Sequence, residues 1–246
     1  MKLSGNTVLI TGGATGIGLA IAGALVHEGN EVIICGRRRD RLQAAKAQYP
    51  GLRTRVCDVS KAASRESLVS WATSSFEGLN VLVNNAGVQH VVDFQEGPRD
   101  LDDADEEIAT NLRAPIHLTA LLVPHLLRHK GSAVVNISSG LAYAPLAMIP
   151  VYCAAKAALH SLSLSLRHQL KDTSIKVFEI APPRVDTDLG WSRLARGDRR
   201  PSMGISPDVV AAAFVKALAS DDYEVAIGAA ENLRAGRERS FDAMNR

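Results

Sequence analysis

The chain has 246 residues, 46% of them hydrophobic, which is enough to bury the core of one domain of this length. Its 28 basic and 26 acidic residues nearly balance and are spread along the chain, so the charge gives no reason to expect a nucleic acid or an anionic membrane as partner. No segment reaches the roughly 18 uninterrupted apolar residues of a membrane span, and the first residues lack a signal-peptide core, so we expect a cytoplasmic protein.

Short β-branched runs alternate with longer amphipathic stretches along the whole chain. The predicted strands are Thr7 to Thr11, Glu31 to Cys35, Arg53 to Val56, Val81 to Val83, Ala133 to Ile137, Ile175 to Ile180 and Glu224 to Ile227. The predicted helices are 16–28, 38–48, 61–76, 103–130, 151–172 and 206–219. Such alternation is typical of a parallel sheet covered on both faces. We therefore predict an α/β fold: one doubly wound Rossmann domain over residues 1–246, with a parallel sheet of about seven strands and helices on both faces.

The segment 161–166 is ambiguous between helix and strand. Serine and leucine alternate there with period two, which taken alone predicts a strand. Leucines at 159, 162, 166 and 170 also recur at helical spacing. We choose helix, because the segment continues the run that carries Tyr152 and Lys156.

Residues 188–204 depart from the regular pattern. This stretch is rich in arginine and glycine, contains Trp191 and is too polar to be core. A loop of this length inside a compact fold is typical of a lid, so we predict a substrate lid at about 188–204.

A glycine-rich segment, 11–18 with the sequence TGGATGIG, lies between the first strand and the first helix. Glycines let the backbone turn tightly and approach a pyrophosphate, while the free amides of the helix N-terminus favour negative charge. A glycine cluster alone would indicate only a turn or a helix-packing motif. The strand and helix on either side favour a dinucleotide site. The expected contacts from this segment are Gly12, Thr15, Gly16, Ile17 and Gly18.

The residues after the second strand bear on which dinucleotide is bound. A carboxylate there is typical of NAD-specific proteins, whereas a basic residue accommodates the extra phosphate of NADP. This chain has Gly36-Arg37-Arg38-Arg39 and no acidic residue. An arginine run could instead be a solvated helix start, although it opposes the helix dipole. We predict that NADP (as NADPH) is preferred and NAD is possible, with Arg37 as the first contact and Arg38 as the second.

Asp58 and Val59 follow the third strand and complete the expected adenosine side of the site. Asp58 could cap the next helix, or it could accept a hydrogen bond from the adenine amino group. We include both residues among the predicted cofactor contacts.

Tyr152 and Lys156 are four residues apart in a predicted helix, so their side chains project from one face. A free tyrosine has a pKa of about 10, and a fixed ammonium about 4 Å away could lower it by roughly three. Burial of either group would offset part of this effect. We predict that Tyr152 is a general acid/base whose pKa is lowered by Lys156.

These motifs together resemble the short-chain dehydrogenase/reductase family over essentially the whole chain. The resemblance is carried by Thr11-Gly12-xxx-Gly16-x-Gly18, Asn84-Asn85-Ala86-Gly87, Asn111, Ser139 and Tyr152-xxx-Lys156, in the family's order and spacing. Within the family the chain resembles the branch named after the oxidoreductase of the D-alanine lipoteichoic-acid operon, in Ala181-Pro182-Pro183 and the ending Phe241-Asp242-Ala243-Met244-Asn245.

The resemblance implies a catalytic tetrad of Asn111, Ser139, Tyr152 and Lys156. Ser139 would hold the substrate carbonyl oxygen, Tyr152 would deliver the proton, and Lys156 would also bind the nicotinamide ribose. Asn111 would kink its helix and hold a water of the proton relay. Ser138 competes with Ser139 for one role, but Ser139 stands 13 positions before Tyr152, the family's usual interval.

The resemblance also implies cofactor contacts from two further loops. The first is Asn84 to Gly87, which would line the cofactor crevice and stabilise the centre of the sheet, with Asn85, Ala86 and Gly87 as the cofactor contacts. The second is Pro182, Val185 and Thr187 near the nicotinamide. The family usually has Pro-Gly where this chain has Pro182-Pro183, and proline lacks an N–H, so a contact of that glycine is not carried over to Pro183.

We therefore predict an NADP-dependent oxidoreductase of the carbonyl reductase or alcohol dehydrogenase type, which transfers hydride between nicotinamide and a carbonyl or alcohol. Apolar residues between Ser139 and Tyr152, namely Tyr143, Leu146 and Met148, favour a moderately hydrophobic substrate. The resemblance implies a homodimer or homotetramer. One alternative is a non-catalytic NAD(P)-binding regulator, which would not need the whole tetrad. An epimerase or dehydratase is the other, although the chain leaves little room for an extra substrate domain.

Other polar and cysteine positions predict no further chemistry. Cys35, Cys57 and Cys153 are an odd number without metal-ligand spacing, so we expect small buried side chains and no disulfide framework. His125 and His129 stand four apart, but no acidic or cysteine ligand accompanies them, so no metal site is predicted. The acidic stretch 100–107 is interpreted as charge that complements a helix N-terminus.

Overall fold

A computed structural model describes residues 1–189 and 204–245 of the chain. Its strands are β1 (Thr7–Thr11), β2 (Glu31–Gly36), β3 (Arg53–Val56), β4 (Leu79–Asn84), β5 (Ser132–Ile137), β6 (Ile175–Ala181) and β7 (Glu224–Ala226). They form one sheet in the order β3-β2-β1-β4-β5-β6-β7, and every pairing is parallel. The predicted seven-stranded parallel sheet is confirmed.

The helices within the described ranges lie between these strands and after the last one. They are α1 (Gly16–His27), α2 (Arg39–Gln48), α3 (Ala62–Ser75), α4 (Leu101–Ile108), α5 (Ala114–Leu126), α6 (Pro150–Gln169), α7 (Pro207–Ser220), α8 (Ala229–Gly236) and α9 (Phe241–Met244). The ambiguous segment 161–166 lies inside α6 and is helical, as predicted. None of the helices described is both long and apolar enough to cross a membrane. Of the predicted lid at 188–204, residues 190–203 lie outside the described part of the chain.

The helix predicted over 103–130 is helical from residue 101 to residue 126, but it is not regular, because a π-helical turn at Ala109–Arg113 lies between α4 and α5. Pro115 follows this turn and has no N–H to bond the carbonyl four residues earlier, which is that of Asn111. Wide turns of this kind inside helices often occur at functional sites. Here the turn carries Asn111.

Successive residues of the central strands face opposite sides of the sheet. In β1, Val8 and Ile10 belong to a buried cluster with α1 and α7, whereas Leu9 belongs to a second cluster with α3 and α5. Because helices cover both faces, these strands are apolar on both sides. The three cysteines are free and buried, as expected.

Buried polar side chains join the centre of the sheet to α6. Asn84 on β4 donates to the side chain of Asn136 on β5 (2.9 Å), and Asn136 donates to the Ser163 hydroxyl on α6 (2.9 Å). All three side chains are buried, so these bonds act in a low-dielectric interior where an unmade bond is costly. They fix α6 against the strands that end beside it.

The carboxyl ends of β1 and β4 are joined by one hydroxyl. Thr11 is buried, and its Oγ1 accepts hydrogen bonds from the backbone N–H groups of Asn85 and Ala86, each at 3.0 Å. The chain leaves β1 toward α1 on one face and reaches β4 after crossing from the other. This edge is therefore the switch point where α/β sheets open a ligand crevice.

Replacing Thr11 by valine should destabilise the protein by about 1–3 kcal/mol, because two partly buried N–H groups lose their acceptor while the side-chain shape is kept. Chemical denaturation measures this loss. Thr73→Val is the control, since that hydroxyl donates only to carbonyls of its own helix, and we expect a change within about 0.5 kcal/mol. Equal effects of the two substitutions would contradict the role of Thr11.

Candidate active site

The glycine segment forms a tight turn that lies against the loop after β4. Gly12 and Gly16 have φ values of +65° and +56°, which side chains rarely adopt. A Cβ on Gly12 would lie 2.8 Å from the Cα of Ala86. Helix α1 begins at Gly16 with no side-chain cap and no acidic residue in its first turn. Its first amides and dipole therefore face the crevice without a competing anion from these positions.

Two side chains fasten this turn to its neighbours. The Asn85 amide donates to the carbonyls of Thr11 (2.9 Å) and Gly12 (3.2 Å), so its side chain holds the turn. Thr187 lies against Gly16, where an added Cβ would be 3.0 Å from the Thr187 methyl carbon. The glycine segment, the loop after β4 (85–87, the β4 loop) and the loop after β6 (182–187, the β6 loop) carry predicted cofactor contacts. The structure brings these three segments together.

The remaining residues of the β6 loop connect it to other parts of the site. The Pro182 carbonyl accepts a hydrogen bond from the Gly140 N–H (2.9 Å), directly after Ser139. Val185 pairs with Ile205 in an isolated bridge. Pro182 therefore joins the end of β6 to the turn after β5, and Val185 lies where the chain approaches α7.

Arg37 forms an ion pair across the crevice that the sequence did not indicate. Its guanidinium lies 2.5 Å from the carboxylate of Glu106 on α4, and its side chain is 55% exposed. Arg38 is exposed at the N-cap position of α2. A basic side chain is thus present at the end of β2, as predicted, and it already has an acidic partner.

Asp58 and Val59 lie just after β3 and make hydrogen bonds that stabilise the start of α3. One Asp58 oxygen accepts hydrogen bonds from the N–H (3.0 Å) and the hydroxyl (2.7 Å) of Ser60, a local turn before α3. The Val59 side chain is buried in the core, and its carbonyl accepts from Arg65 (2.7 Å). Any contact of Val59 with a ligand would therefore involve its backbone.

The four residues of the predicted tetrad converge at the carboxyl ends of β4 and β5, and all four are buried. Asn111 exchanges two hydrogen bonds with the backbone of Val88, at 2.8 and 2.9 Å. A Cβ on Gly87 would lie 3.4 Å from Asn111 Oδ1 and 3.9 Å from Lys156 Nζ, so the backbone of Gly87 lies between these groups. The π-helical turn thus brings Asn111 next to the β4 loop and the lysine.

The two adjacent serines point in different directions. The Ser139 side chain lies close enough to the phenol to lower the pKa of Tyr152, and its oxygen accepts from the Leu141 N–H (3.1 Å). Ser138 donates to the buried carboxylate of Glu179 (2.5 Å). Of the two, Ser139 therefore has the position beside the phenol.

The prediction that Lys156 lowers the pKa of Tyr152 is wrong for this structure. Burial raises the pKa of the Tyr152 hydroxyl well above its ordinary value, and the hydrogen bond with Ser139 only opposes this rise. Lys156 Nζ donates to the Ile137 carbonyl (2.8 Å) and lies 5.7 Å from the centre of the Tyr152 ring. Burial also lowers the pKa of Lys156 to about 8. Desolvation is the largest cause of both shifts.

Glu107 is a site residue that the sequence reasoning missed. It was grouped with the acidic stretch 100–107, yet it is fully buried, and its carboxylate accepts from the His90 N–H (2.6 Å). Burial raises its pKa to about 7, and the backbone N–H groups of His90 and Tyr152 oppose this rise. Glu107 stands four residues before Asn111, and this helical spacing is the signal that could have located it.

The segment 145–148, part of the predicted pocket wall, is held by the C-terminal helix. Asn245 accepts from the Ala147 N–H (2.5 Å) and donates to the Pro145 carbonyl (3.2 Å), so its amide pairs with this loop as a peptide group would. Leu146 packs near Tyr152, while Met148 is 55% exposed. The motif at the chain end therefore braces the loop beside the tyrosine.

Replacing Lys156 by methionine should raise the thermal midpoint at pH 7, because a buried ammonium is removed. The depressed pKa corresponds to a gain of at most about 3 kcal/mol, less about 1 kcal/mol for the lost bond to Ile137. The cost of the ammonium is fully present below pH about 8 and disappears as the pH rises toward the ordinary lysine value of 10.5. The gain should therefore shrink between pH 8 and 10, as calorimetry can measure.

The exposed residue Lys46 on α2 provides the control for this measurement. Lys46→Met should show no gain at pH 7 and no change of its effect across the same pH range. A pH-independent gain in Lys156→Met would contradict the burial of a charged lysine.

Comparison with known proteins agrees with this geometry. The family model described as short chain dehydrogenase matches residues 6–196. The uncharacterized oxidoreductase DltE of Bacillus subtilis (strain 168) is 49% identical over 250 residues, which cover 100% of this chain and 98% of that relative. The fold is shared with a short chain dehydrogenase from Burkholderia cenocepacia J2315 in complex with NADP (TM-score 0.80, 24% identity, 96% of this chain and 94% of that one). It is also shared with 3-ketoacyl-(acyl-carrier-protein) reductase from Brucella melitensis complexed with NADH (TM-score 0.81, 23% identity, 92% and 97%). The chain therefore belongs to the short-chain dehydrogenase family of oxidoreductases.

Proposed function

We propose that the protein is an NADP-dependent oxidoreductase that interconverts a carbonyl compound and an alcohol, with Tyr152 as the general acid/base. The observation that carries this proposal is the pairing of the Tyr152 and Ser139 hydroxyls beside the buried Lys156 ammonium. Two neighbouring hydroxyls are suited to one oxygen atom that gains negative charge during a reaction. These hydroxyls lie at the carboxyl ends of the central strands, next to the crevice that the glycine turn borders.

The residues around the crevice fit a nicotinamide dinucleotide. The Gly12 turn has no room for a side chain, and the uncapped start of α1 offers amides to a pyrophosphate. Thr15, Gly16, Ile17 and Gly18 would bind there, the backbones of Ala86 and Gly87 would line the crevice, and Val185 and Thr187 would face the nicotinamide. When bound, the nicotinamide supplies or accepts a hydride at the carbon of the substrate carbonyl.

Tyr152 and Ser139 act on the substrate oxygen. In reduction, the carbonyl carbon gains the hydride, and the Tyr152 hydroxyl gives its proton to the oxygen that becomes the alcohol. Ser139 donates a second hydrogen bond to that oxygen. The charge left on Tyr152 is then opposed by Lys156, which is 5.7 Å from the ring centre. Oxidation of an alcohol would use the same groups in reverse.

The protonation state of Tyr152 favours the reductive direction. Because burial raises the pKa of this hydroxyl, it carries its proton at neutral pH and is ready to donate it. An alcohol oxidation would need the phenolate, which the buried environment disfavours. We therefore infer that carbonyl reduction is the faster direction near pH 7.

The preference for NADP rests on Arg37 at the end of β2. A guanidinium recognises a phosphate through charged, directional hydrogen bonds. In this protein the phosphate would compete with Glu106, which lies 2.5 Å from Arg37. Arg38 is exposed next to it and could bind the same phosphate.

Apolar side chains near the tyrosine and on the surface of α5 bear on the kind of substrate and on the oligomeric state. Tyr143, Leu146 and Met148 near the tyrosine favour a moderately hydrophobic carbonyl compound. On α5, Ile116 and Leu121 are each 40% exposed and could pack against a second copy. We propose a homodimer or homotetramer, which light scattering would test.

Tyr152→Phe should lower the rate of NADPH-dependent reduction by about 10²–10⁴-fold, because the hydroxyl that donates the proton is absent. Assays use a panel of hydrophobic aldehydes, ketones and quinones, and NADPH binding should be retained. Tyr223→Phe, at an exposed tyrosine outside the proposed tetrad, is the control and should keep wild-type turnover. Wild-type turnover in Tyr152→Phe would refute the assignment.

Arg37→Gln should weaken NADPH binding by about 10- to 100-fold and change NADH binding little, because only NADPH carries the extra phosphate. Glu106→Gln should strengthen NADPH binding up to about fivefold, since it removes the competing carboxylate. Fluorescence titration with both cofactors measures these changes. Glu96→Gln is the matched control, because this acid pairs with Arg99 instead. Equal losses for NADPH and NADH in Arg37→Gln would contradict the predicted preference.

A further inference from the structure

A carboxylate with no exposure to solvent lies behind the proposed catalytic residues. Glu179, near the end of β6, is 0% exposed. Its two oxygens are bound by the Ser138 hydroxyl (2.5 Å) and by Nδ1 of His160 (2.8 Å). A buried charge is costly unless other groups compensate it. The position of this carboxylate therefore calls for a cationic partner.

The geometry connects Glu179 to Lys156 through two neighbouring elements. Lys156 donates to the carbonyl of Ile137, and the next residue, Ser138, donates to Glu179. On α6, His160 follows Lys156 by one helical turn and bonds the same carboxylate. The bonding partners of the lysine and of the glutamate are thus neighbours, one residue apart on β5 and one helical turn apart on α6.

Among the acidic residues near Lys156, Glu179 is the one that stabilises its charged form. Burial lowers the pKa of Lys156 to about 8, and Glu179 is the group that opposes this effect. Glu224 on β7 is partly exposed and already lies near Arg167 (3.8 Å) and Arg234 (3.4 Å). The ionisable groups around this face, within the described residues, are Tyr152, Cys153 and His160 on α6, Glu107 on α4, Tyr143 in the turn after β5, Glu179 on β6 and Glu224 on β7.

We propose that Glu179 is a positioning residue that serves as the buried counter-charge of the Lys156 ammonium, held in place by Ser138 and His160. It keeps the lysine charged, so that the charge left on Tyr152 after proton donation is compensated. This consequence for turnover rests on the proposed function, whereas the charge pairing itself does not. Ligand atoms of His160, Glu179 and Glu224 also lie within 4.8 Å of one another, but arginines already neutralise Glu224 and the proposed partner of Glu179 is Lys156, so a metal ion is not required there.

The test is a direct titration of Lys156 by NMR in protein labelled with ¹³C-lysine, with the Lys156 Cε signal assigned by its loss in Lys156→Arg. The wild-type midpoint is expected near pH 8. In Glu179→Gln the midpoint should fall by roughly one pH unit, because one nearby negative charge is removed without a change of shape. Glu224→Gln is the matched control and should leave the midpoint unchanged. An unchanged or higher midpoint in Glu179→Gln, or an equal fall in Glu224→Gln, overturns the proposal.

His160→Gln gives an independent result that decides the question if Glu179→Gln does not fold. Loss of the histidine bond removes one of the two groups that hold the carboxylate in place, so the Lys156 midpoint should fall, by less than in Glu179→Gln. An unchanged or higher midpoint in His160→Gln overturns the proposal, since loss of packing alone would admit water and raise the midpoint.

Turnover gives a separate readout. If the proposed function holds, kcat/KM for NADPH-dependent reduction declines at high pH as Lys156 loses its proton. In Glu179→Gln this decline should occur at a lower pH, by the same number of pH units as the shift of the Lys156 midpoint. The NMR titration needs neither substrate nor cofactor, so a wild-type protein that lacks reductase activity would contradict the proposed function alone. A shifted lysine midpoint with an unshifted decline of kcat/KM would overturn the catalytic consequence of the pairing.

Discussion

Desolvation of two ionisable side chains on one face of α6 is the constraint on which the rest of this site depends. Tyr152 and Lys156 are both almost completely buried, so each is pushed toward its neutral form. A phenol that keeps its proton is a donor, and a lysine whose pKa burial lowers to about 8 loses its charge more readily than an exposed one. Ser139 lies beside the phenol, the Ile137 carbonyl accepts from the ammonium, and Glu179 is the proposed counter-charge of that ammonium.

The fold brings these groups together by anchoring α6 and the strand ends in buried polar contacts. The bonds from Asn84 through Asn136 to Ser163 fix the helix against the central strands. Thr11 and Asn85 fasten the glycine turn to the loop after β4. Unmade hydrogen bonds at such positions would be expensive, so the crevice is held in one arrangement before any ligand arrives. Preorganised dipoles of this kind need little rearrangement during a reaction.

Acidic residues modify what the family motifs alone would suggest. Glu106 pairs with Arg37, Glu107 is buried next to the backbone of Tyr152, and Glu179 opposes the lowering of the Lys156 pKa. Each one is associated with a different residue of the proposed chemistry. Their common feature is that they lie on elements distant in sequence from the residue they influence. Membership of the short-chain dehydrogenase family therefore does not describe the electrostatics of this site.

Much of the fold and of the site can be predicted from the sequence, because those features depend on local periodicity and on spacing along the chain. The seven strands, the glycine turn before α1 and the single helical turn between Tyr152 and Lys156 are of this kind. Spacing also favoured Ser139 over Ser138, and the side-chain directions agree with that choice. The π-helical turn at Ala109–Arg113, where the family resemblance implied a kink at Asn111, also has a local cause in Pro115. The brace by Asn245 and the partners of Glu107 and Glu179 arise only when distant segments pack. The direction of the Tyr152 pKa shift was likewise decided by the tertiary structure, since the cost of burying a charge depends on what surrounds it in space.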